Sequence, residues 1–170
     1  IPRAAGTSLA GQVVGKGMVV DISKYFTNII ELNVEKKWVR VQPGVIRDDL
    51  NIYLKPFGLM YAPETSTANR AMIGGMIGNN SCGLHSIVWG DARKHLLEAN
   101  VILSDGTEAV FKNISATEFV EKAKQNTLEG SIYKKLNDLL SDEKNQQSIL
   151  KGYPKKSLTR RNTGYALDFL

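Results

Sequence analysis

The sequence predicts an α+β fold, a mainly antiparallel sheet flanked by helices, and three observations predict it. Short apolar segments with strand-like alternation fill residues 18–42, a second pair of such segments surrounds Ser104-Asp105-Gly106, and from Ser115 the apolar spacing becomes helical. A length of 170 residues suits one domain, and 42% hydrophobic against 23% charged residues is the balance of an ordinary soluble globule.

Taken in order, Met18-Val19-Val20-Asp21-Ile22 is apolar and β-branched and reads as a strand. Ile29-Ile30-Glu31-Leu32-Asn33-Val34 and Trp38-Val39-Arg40-Val41-Gln42 alternate on either side of the polar Glu35-Lys36-Lys37, which predicts an antiparallel hairpin ended by Pro43-Gly44. Val45 to Phe57 carries apolar residues at 46, 50, 53, 54 and 57, a helical stripe closed by Gly58, with Asp48 and Asp49 near its positive end. After a loop rich in Pro, Ser and Thr, Ala71 to Gly78 reads as a short glycine-rich helix or turn. Leu97 to Leu103 pairs with Thr107 to Lys112 across the Ser-Asp-Gly turn. Phe119/Ala123 and Leu128/Ile132/Leu136/Leu139/Leu140 mark two amphipathic helices. Beyond them the chain reads as irregular through Tyr153, Pro154 and Asn162-Thr163-Gly164-Tyr165, up to a last apolar segment, Tyr165 to Leu170. Without repeats or low-complexity tracts, a single domain is expected over residues 1–170.

The net charge of +5 comes from 22 basic residues interleaved with 17 acidic ones. Only Lys151, Lys155, Lys156, Arg160 and Arg161 form a basic stretch without acidic relief. That stretch reads as a solvated face, and no aromatic platforms alternate with it as nucleic-acid binding would require. No apolar run approaches the roughly 18 residues of a membrane span, so membrane insertion is not expected. The lone Cys82 allows no intramolecular disulfide and suits the cytoplasm. The opening Ile1-Pro2-Arg3, without an initiator methionine, suggests a piece of a longer protein.

Two stretches are candidates for chemistry. Pro2 to Gly11 is small, polar and glycine-bearing, and such a turn can aim successive N–H groups at a phosphate that large side chains would hold away. A plain surface turn fits the same composition. The stretch matches neither the dinucleotide G-x-G-x-x-G nor the Walker spacing. Pro63-Glu64-Thr65-Ser66-Thr67, followed by Met72 to Gly83, can press backbone against a flat ligand and offers the Asn79 and Asn80 amides to ring edges. The bland alternative is a glycine-rich connection. Cys82 reads as a small filler, with contact to a ligand as the alternative. His85 and His95 read as surface or structural, since their spacing suits no metal motif; Trp89 reads as core or as cover for a ligand.

Arg3-Ala4-Ala5-Gly6-Thr7-Ser8, Val41-Gln42-Pro43-Gly44, Ile73-Gly74-Gly75 with Asn80-Ser81-Cys82-Gly83, and Val101-Ile102-Leu103-Ser104-Asp105-Gly106 occur in the order and spacing of one family. In these motifs the chain resembles the FAD-linked oxidases of the vanillyl-alcohol oxidase and p-cresol methylhydroxylase superfamily. It is most similar to the D-lactate dehydrogenase, glycolate oxidase D-subunit and D-2-hydroxyglutarate dehydrogenase branch. The resemblance runs from Ile1 to about Phe111, and Arg160 to Asp168 resembles the segment leading toward the family's substrate domain. Asn80-Ser81-Cys82-Gly83-Leu84-His85 is similar to large members that also carry an iron–sulfur domain.

The resemblance implies the second subdomain of an FAD-binding domain of the p-cresol methylhydroxylase type. Residues 1–11 would be the end of the first subdomain with its pyrophosphate loop, 12–114 a β-rich second subdomain, and 115–170 a helical segment leading to a substrate cap. It implies that Arg3, Ala4, Ala5, Gly6, Thr7 and Ser8 bind the FAD pyrophosphate through backbone amides. Thr65, Gly74, Gly75, Asn79, Asn80, Ser81 and Gly83 would line the diphosphate, ribityl and isoalloxazine regions, and Ile102 would meet the adenine end through its backbone. FAD would be non-covalent, because the loop has no tethering His. It would also be weakly held or absent, because most of the first subdomain is missing. The implied reaction is oxidation of a D-2-hydroxy acid such as D-lactate, glycolate or D-2-hydroxyglutarate. With its base expected in the cap, these residues alone would have no catalytic residue and no activity. A flavin or nucleotide module without enzymatic duty is the alternative.

Overall fold

The computed structural model describes residues 1–155, 157–158 and 165–170, and the chain divides into two units, Ile1–His95 and Leu96–Leu170. This division falls inside the stretch 12–114. Lys156, Arg160, Arg161 and Asn162-Thr163-Gly164, and with them most of the segment likened to the approach to a substrate domain, lie outside the described residues.

In the first unit Pro2–Arg3 (β1) pairs in parallel with Val20–Asp21 (β2). The strand expected over 18–22 thus forms over two residues, and its partner is the start of the chain, too short to carry a period. The anticipated hairpin follows as Ile29–Asn33 (β3) and Trp38–Val41 (β4), antiparallel from Asn33 opposite Trp38 to Ile29 opposite Val41, with an irregularity between Ile29 and Glu31. Pro43-Gly44 then passes close beneath an earlier loop. The Gly44 N–H donates to the Phe26 carbonyl at 2.7 Å, and a Cβ on Gly44 would lie 2.6 Å from that oxygen, so only glycine fits.

The helix expected over 45–57 is Arg47–Leu54 (α1) continued by a 3-10 turn at Lys55–Phe57. Pro56 has no N–H to extend the α ladder, and Gly58 at φ 66° turns the chain away. Leu50 and Leu54 point from α1 into a core with Val45, Ala71, Ile73 and Met76, against which Ile29, Leu32, Val39 and Val41 of the hairpin pack. Burying each leucine stabilises the unit by about 2 kcal/mol. Ile73–Gly78 (α2) is the short glycine-rich helix anticipated. An Ile46–Met72 bridge joins the start of α1 to it, flanked by Arg47 N–H to Ala71 O and Ile73 N–H to Val45 O, both 2.9 Å. Ser86–Trp89 (α3) and a 3-10 turn at Ala92–His95 complete the unit.

In the second unit Glu98–Ile102 (β5) and Glu108–Lys112 (β6) form the second antiparallel hairpin. Gly106, at φ 82°, donates to Leu103 O, while Asp105 Oδ1 accepts from both the N–H and the hydroxyl of Thr107. Three helices follow: Ala116–Ala123 (α4), Leu128–Ser141 (α5) and Glu143–Gly152 (α6). Ser115 and Glu118 form a reciprocal capping box, Thr127 caps α5, and Asp142 caps α6. Buried Tyr133 lies 5.1 Å edge-on from Phe119 and 6.2 Å from Phe111, fastening α4 and α5 to β6. The fold is α+β as the alternation predicted. Among the described residues the strands form three separate pairs, two antiparallel and one parallel.

Candidate functional site

Residues 3–8 leave β1 and turn at Gly6, whose φ of 67° is a conformation that glycine adopts freely. The Arg3 side chain is engaged by Asp21 across the β1–β2 pair. Hydrogen bonds from Ser23, reinforced by Arg3, hold the Asp21 carboxyl below the usual carboxylate range. The Arg3 charge is therefore matched locally, and what the loop offers a ligand is its backbone.

This loop meets α2. A Cβ built on Gly75 would stand 3.3 Å from Ala4 Cβ, its one contact within 4 Å among the described residues outside its chain neighbours and its own helix backbone, and Gly75 is exposed. Gly74 faces elsewhere: its N–H donates to Pro43 O at 2.9 Å, and a Cβ there would strike Pro43 Cβ at 2.5 Å. At the other end of α2, Asn79 caps the helix with its N–H on Gly75 O and Ile77 O, and its amide reaches Ser81 Oγ at 3.4 Å.

Asn80 takes a left-handed backbone, φ 46°, and spends both ends of its amide within the protein. Oδ1 accepts from Arg93 N–H at 2.9 Å and Nδ2 donates to Asp91 Oδ2 at 3.2 Å. Ser81 is buried and exchanges backbone bonds with Met76 and Ala92. Asp91, also buried, accepts from Asn80 and Lys94 and pairs with Arg93, so it locks the loop 79–83 onto the turn 92–95. Thr65 shares a hydroxyl contact of 3.2 Å with Thr67. Gly83 has no room for a side chain because the Glu64 backbone and Cγ occupy the space. Ile102 is exposed in β5 of the second unit.

Loop 3–8 and Gly75 are thus brought together, and Gly74, Asn80 and Gly83 are used for packing. Sequence reasoning placed Glu64 within the stretch 63–67 and Asp91 in Trp89-Gly90-Asp91 as cover for a ligand, but gave neither of them, nor Tyr61, the contacts seen here. Among the described residues the buried Tyr61 hydroxyl has no hydrogen-bond partner, and burial pushes its pKa up to about 12. No periodicity or motif marks these residues, since their roles arise from contacts across 10 to 30 residues of chain. Cys82 is half-buried, and His95 is anchored by Nε2 on Trp89 O at 2.8 Å.

A nucleotide cofactor fits this arrangement: a glycine turn and a side-chain-free helix face meet at Ala4 and Gly75, where bare peptide groups can approach a diphosphate. Among the described residues no helix is long and apolar enough to cross a membrane.

Comparison with known proteins gives this geometry a family. Residues 1–111 match the family described as FAD binding domain. The chain is 40% identical over 166 residues to D-2-hydroxyglutarate dehydrogenase of Escherichia coli, a match covering 98% of this chain and 16% of that protein. It is 35% identical over 107 residues to glycolate oxidase subunit GlcD of Bacillus subtilis, covering 62% and 23%. It is 36% identical over 111 residues to the mitochondrial D-lactate dehydrogenase [cytochrome] of Kluyveromyces lactis, covering 63% and 19%. The chain spans about a sixth of the length of the D-2-hydroxyglutarate dehydrogenases it matches. On the match over residues 1–111, the chain belongs to the FAD binding domain family.

Proposed function

We propose that this chain is the FAD-holding portion of an oxidoreductase that oxidises a D-2-hydroxy acid, of which D-2-hydroxyglutarate, glycolate and D-lactate are the candidates. The single observation that carries the reading is the meeting of loop 3–8 with Gly75, whose missing side chain leaves open space beside Ala4. The N–H groups of residues 4–8 hold the pyrophosphate, and the exposed face of α2 at Gly75 lies along the diphosphate and ribityl chain. Thr65, Asn79 and Ser81 belong to the loops that line the diphosphate, ribityl and isoalloxazine regions, and Gly74, Asn80 and Gly83 shape those loops. Bound FAD supplies the acceptor for the hydride that leaves the α-carbon of the acid. Residues 1–170 bind and orient the cofactor, and the base that takes the hydroxyl proton belongs to a substrate cap in a longer protein. An iron–sulfur domain or subunit as a partner and a cytoplasmic location complete the reading; the lone Cys82 suits a reducing compartment.

Mixing the chain with FAD, followed by gel filtration and a visible spectrum, tests the binding. Weak binding is expected, seen as a shifted flavin band in the mixture even where the flavin trails behind the chain on the column, and an unshifted band at saturating FAD overturns the reading. Adding D-lactate, glycolate or D-2-hydroxyglutarate to the loaded chain should leave the band unchanged, whereas bleaching would place the missing base within these residues.

A further inference from the structure

The Glu64 side chain crosses Gly83 and ends on His85. A Cβ at Gly83 would fall 2.4 Å from Glu64 Cγ and 2.6 Å from the Glu64 carbonyl oxygen, so the glycine is what lets Glu64 through. Glu64 Oε1 then accepts from the His85 backbone N–H at 3.2 Å and lies 2.8 Å from His85 Nδ1. One carboxylate oxygen thereby holds both the backbone and the ring of a single residue. The imidazole rests beside Trp89, ring centroids 5.3 Å apart, and the Trp89 carbonyl is itself fixed by His95. The other charged group acting on Glu64 is Arg47 of α1, whose Nε donates to Pro63 O at 3.1 Å. His85 first, and Arg47 after it, hold the Glu64 carboxyl below the usual range, so the carboxylate is ionised throughout neutral pH. The segments joined in this way, 63–67 and 79–85, carry Thr65, Asn79, Ser81 and Gly83.

We infer that Glu64 and His85 are a positioning pair for the flavin loops, whose bond fixes the separation of segments 63–67 and 79–85 and so sets how tightly FAD is held. The inference rests on the flavin reading above. His85 Nδ1 donates whether or not the ring is protonated, and an asparagine amide places its nitrogen at the same number of bonds from Cβ. The chemistry therefore predicts that Asn substitutes for His85 and Leu does not.

The test uses the whole chain. Glu64→Leu and His85→Leu should each weaken FAD binding about tenfold, the scale of a lost charge-assisted hydrogen bond. The double variant should be no weaker than Glu64→Leu, which already removes the carboxylate's bonds to both the ring and the backbone N–H of His85. His85→Asn should regain most of the affinity. Without FAD, amide exchange at residues 79–85 should speed up in both Leu variants and return toward the parent rate in His85→Asn. Unchanged affinity in the two Leu variants, or losses that simply add, overturns the pair as a positioning device. Failure of the unaltered chain to bind FAD overturns the flavin reading instead, and unchanged exchange in the Leu variants then removes the pair as well.

Discussion

In residues 96–170 Tyr133 fills the space between Phe111 and Phe119, and each of α4, α5 and α6 starts on a side-chain cap. In residues 1–95 none of α1, α2 and α3 has a side-chain cap, and segments meet where Gly44, Gly74 and Gly83 leave room for backbone. The second unit is specified by side chains that are present, the first by side chains that are missing. A surface meant for a flat, charged cofactor needs the second kind of construction, because bare peptide groups reach closer than any side chain allows.

The largest effect that would test this contrast lies at its exception. Gly130, buried in α5, is a close-approach glycine inside the side-chain-built unit: a Cβ there would sit 2.1 Å from Gln125 O. Gly130→Ala should cost about 3 kcal/mol in denaturant unfolding of the second unit, with FAD affinity unchanged. A cost below about 1 kcal/mol would mean that this turn yields easily and that the glycine is incidental.

Next come the neighbours Gly74 and Gly75. Gly74→Ala should cost about 2 kcal/mol, since the Pro43 ring and backbone stand in the way. In Gly75→Ala the gain in helix propensity, about 1 kcal/mol, offsets a tight contact with Ala4, so stability should hardly move while FAD affinity falls at least about tenfold. Chemical denaturation and a flavin titration of the two variants would separate a packing glycine from a ligand-facing one. Equal behaviour would erase the distinction.

The smallest effect lies in the caps. Ser115→Ala should cost about 1 kcal/mol. Hydrogen bonds from Ser115 hold the Glu118 carboxyl below its ordinary range. A lowered folded value means stability present above the unfolded carboxylate pKa and lost as pH falls through the folded one. Because the Ser115 backbone N–H, the larger cause, survives the substitution, the gap in melting temperature between parent and variant should narrow only in part between about pH 5 and pH 3, as the hydroxyl's bond to the carboxylate is lost. A constant gap across that window would remove Glu118 from the account.

Legibility in the sequence follows the presence of repeating side chains and cuts across the two units. The hairpins at 29–41 and 98–112 and helices α1, α4 and α5 showed through because apolar side chains repeat at strand or helix spacing. Helix α6 was missed because Ile149 and Leu150 give it too little apolar face, although Asp142 is an ordinary capping signal. The pair β1–β2 was missed because two residues cannot display a period. At the site, motif order pointed to the right loops but could not tell Gly74 from Gly75. That distinction depends on which neighbour occupies the missing Cβ, Pro43 or open space beside Ala4, and on contacts more than 30 residues away in sequence.

The parallel pairing of Pro2–Arg3 with Val20–Asp21 gathers both ends of the intervening segment at one point, with Val20 N–H on Ile1 O and Ile22 N–H on Arg3 O. Between them, Leu9, Val14 and Met18 stand almost wholly in water. Closing such a segment depends only weakly on its length, each doubling costing about 0.6 kcal/mol. Residues could therefore be added or removed near 9–17 without shifting the tether at its two ends, which makes this stretch the natural place to splice in a reporter peptide.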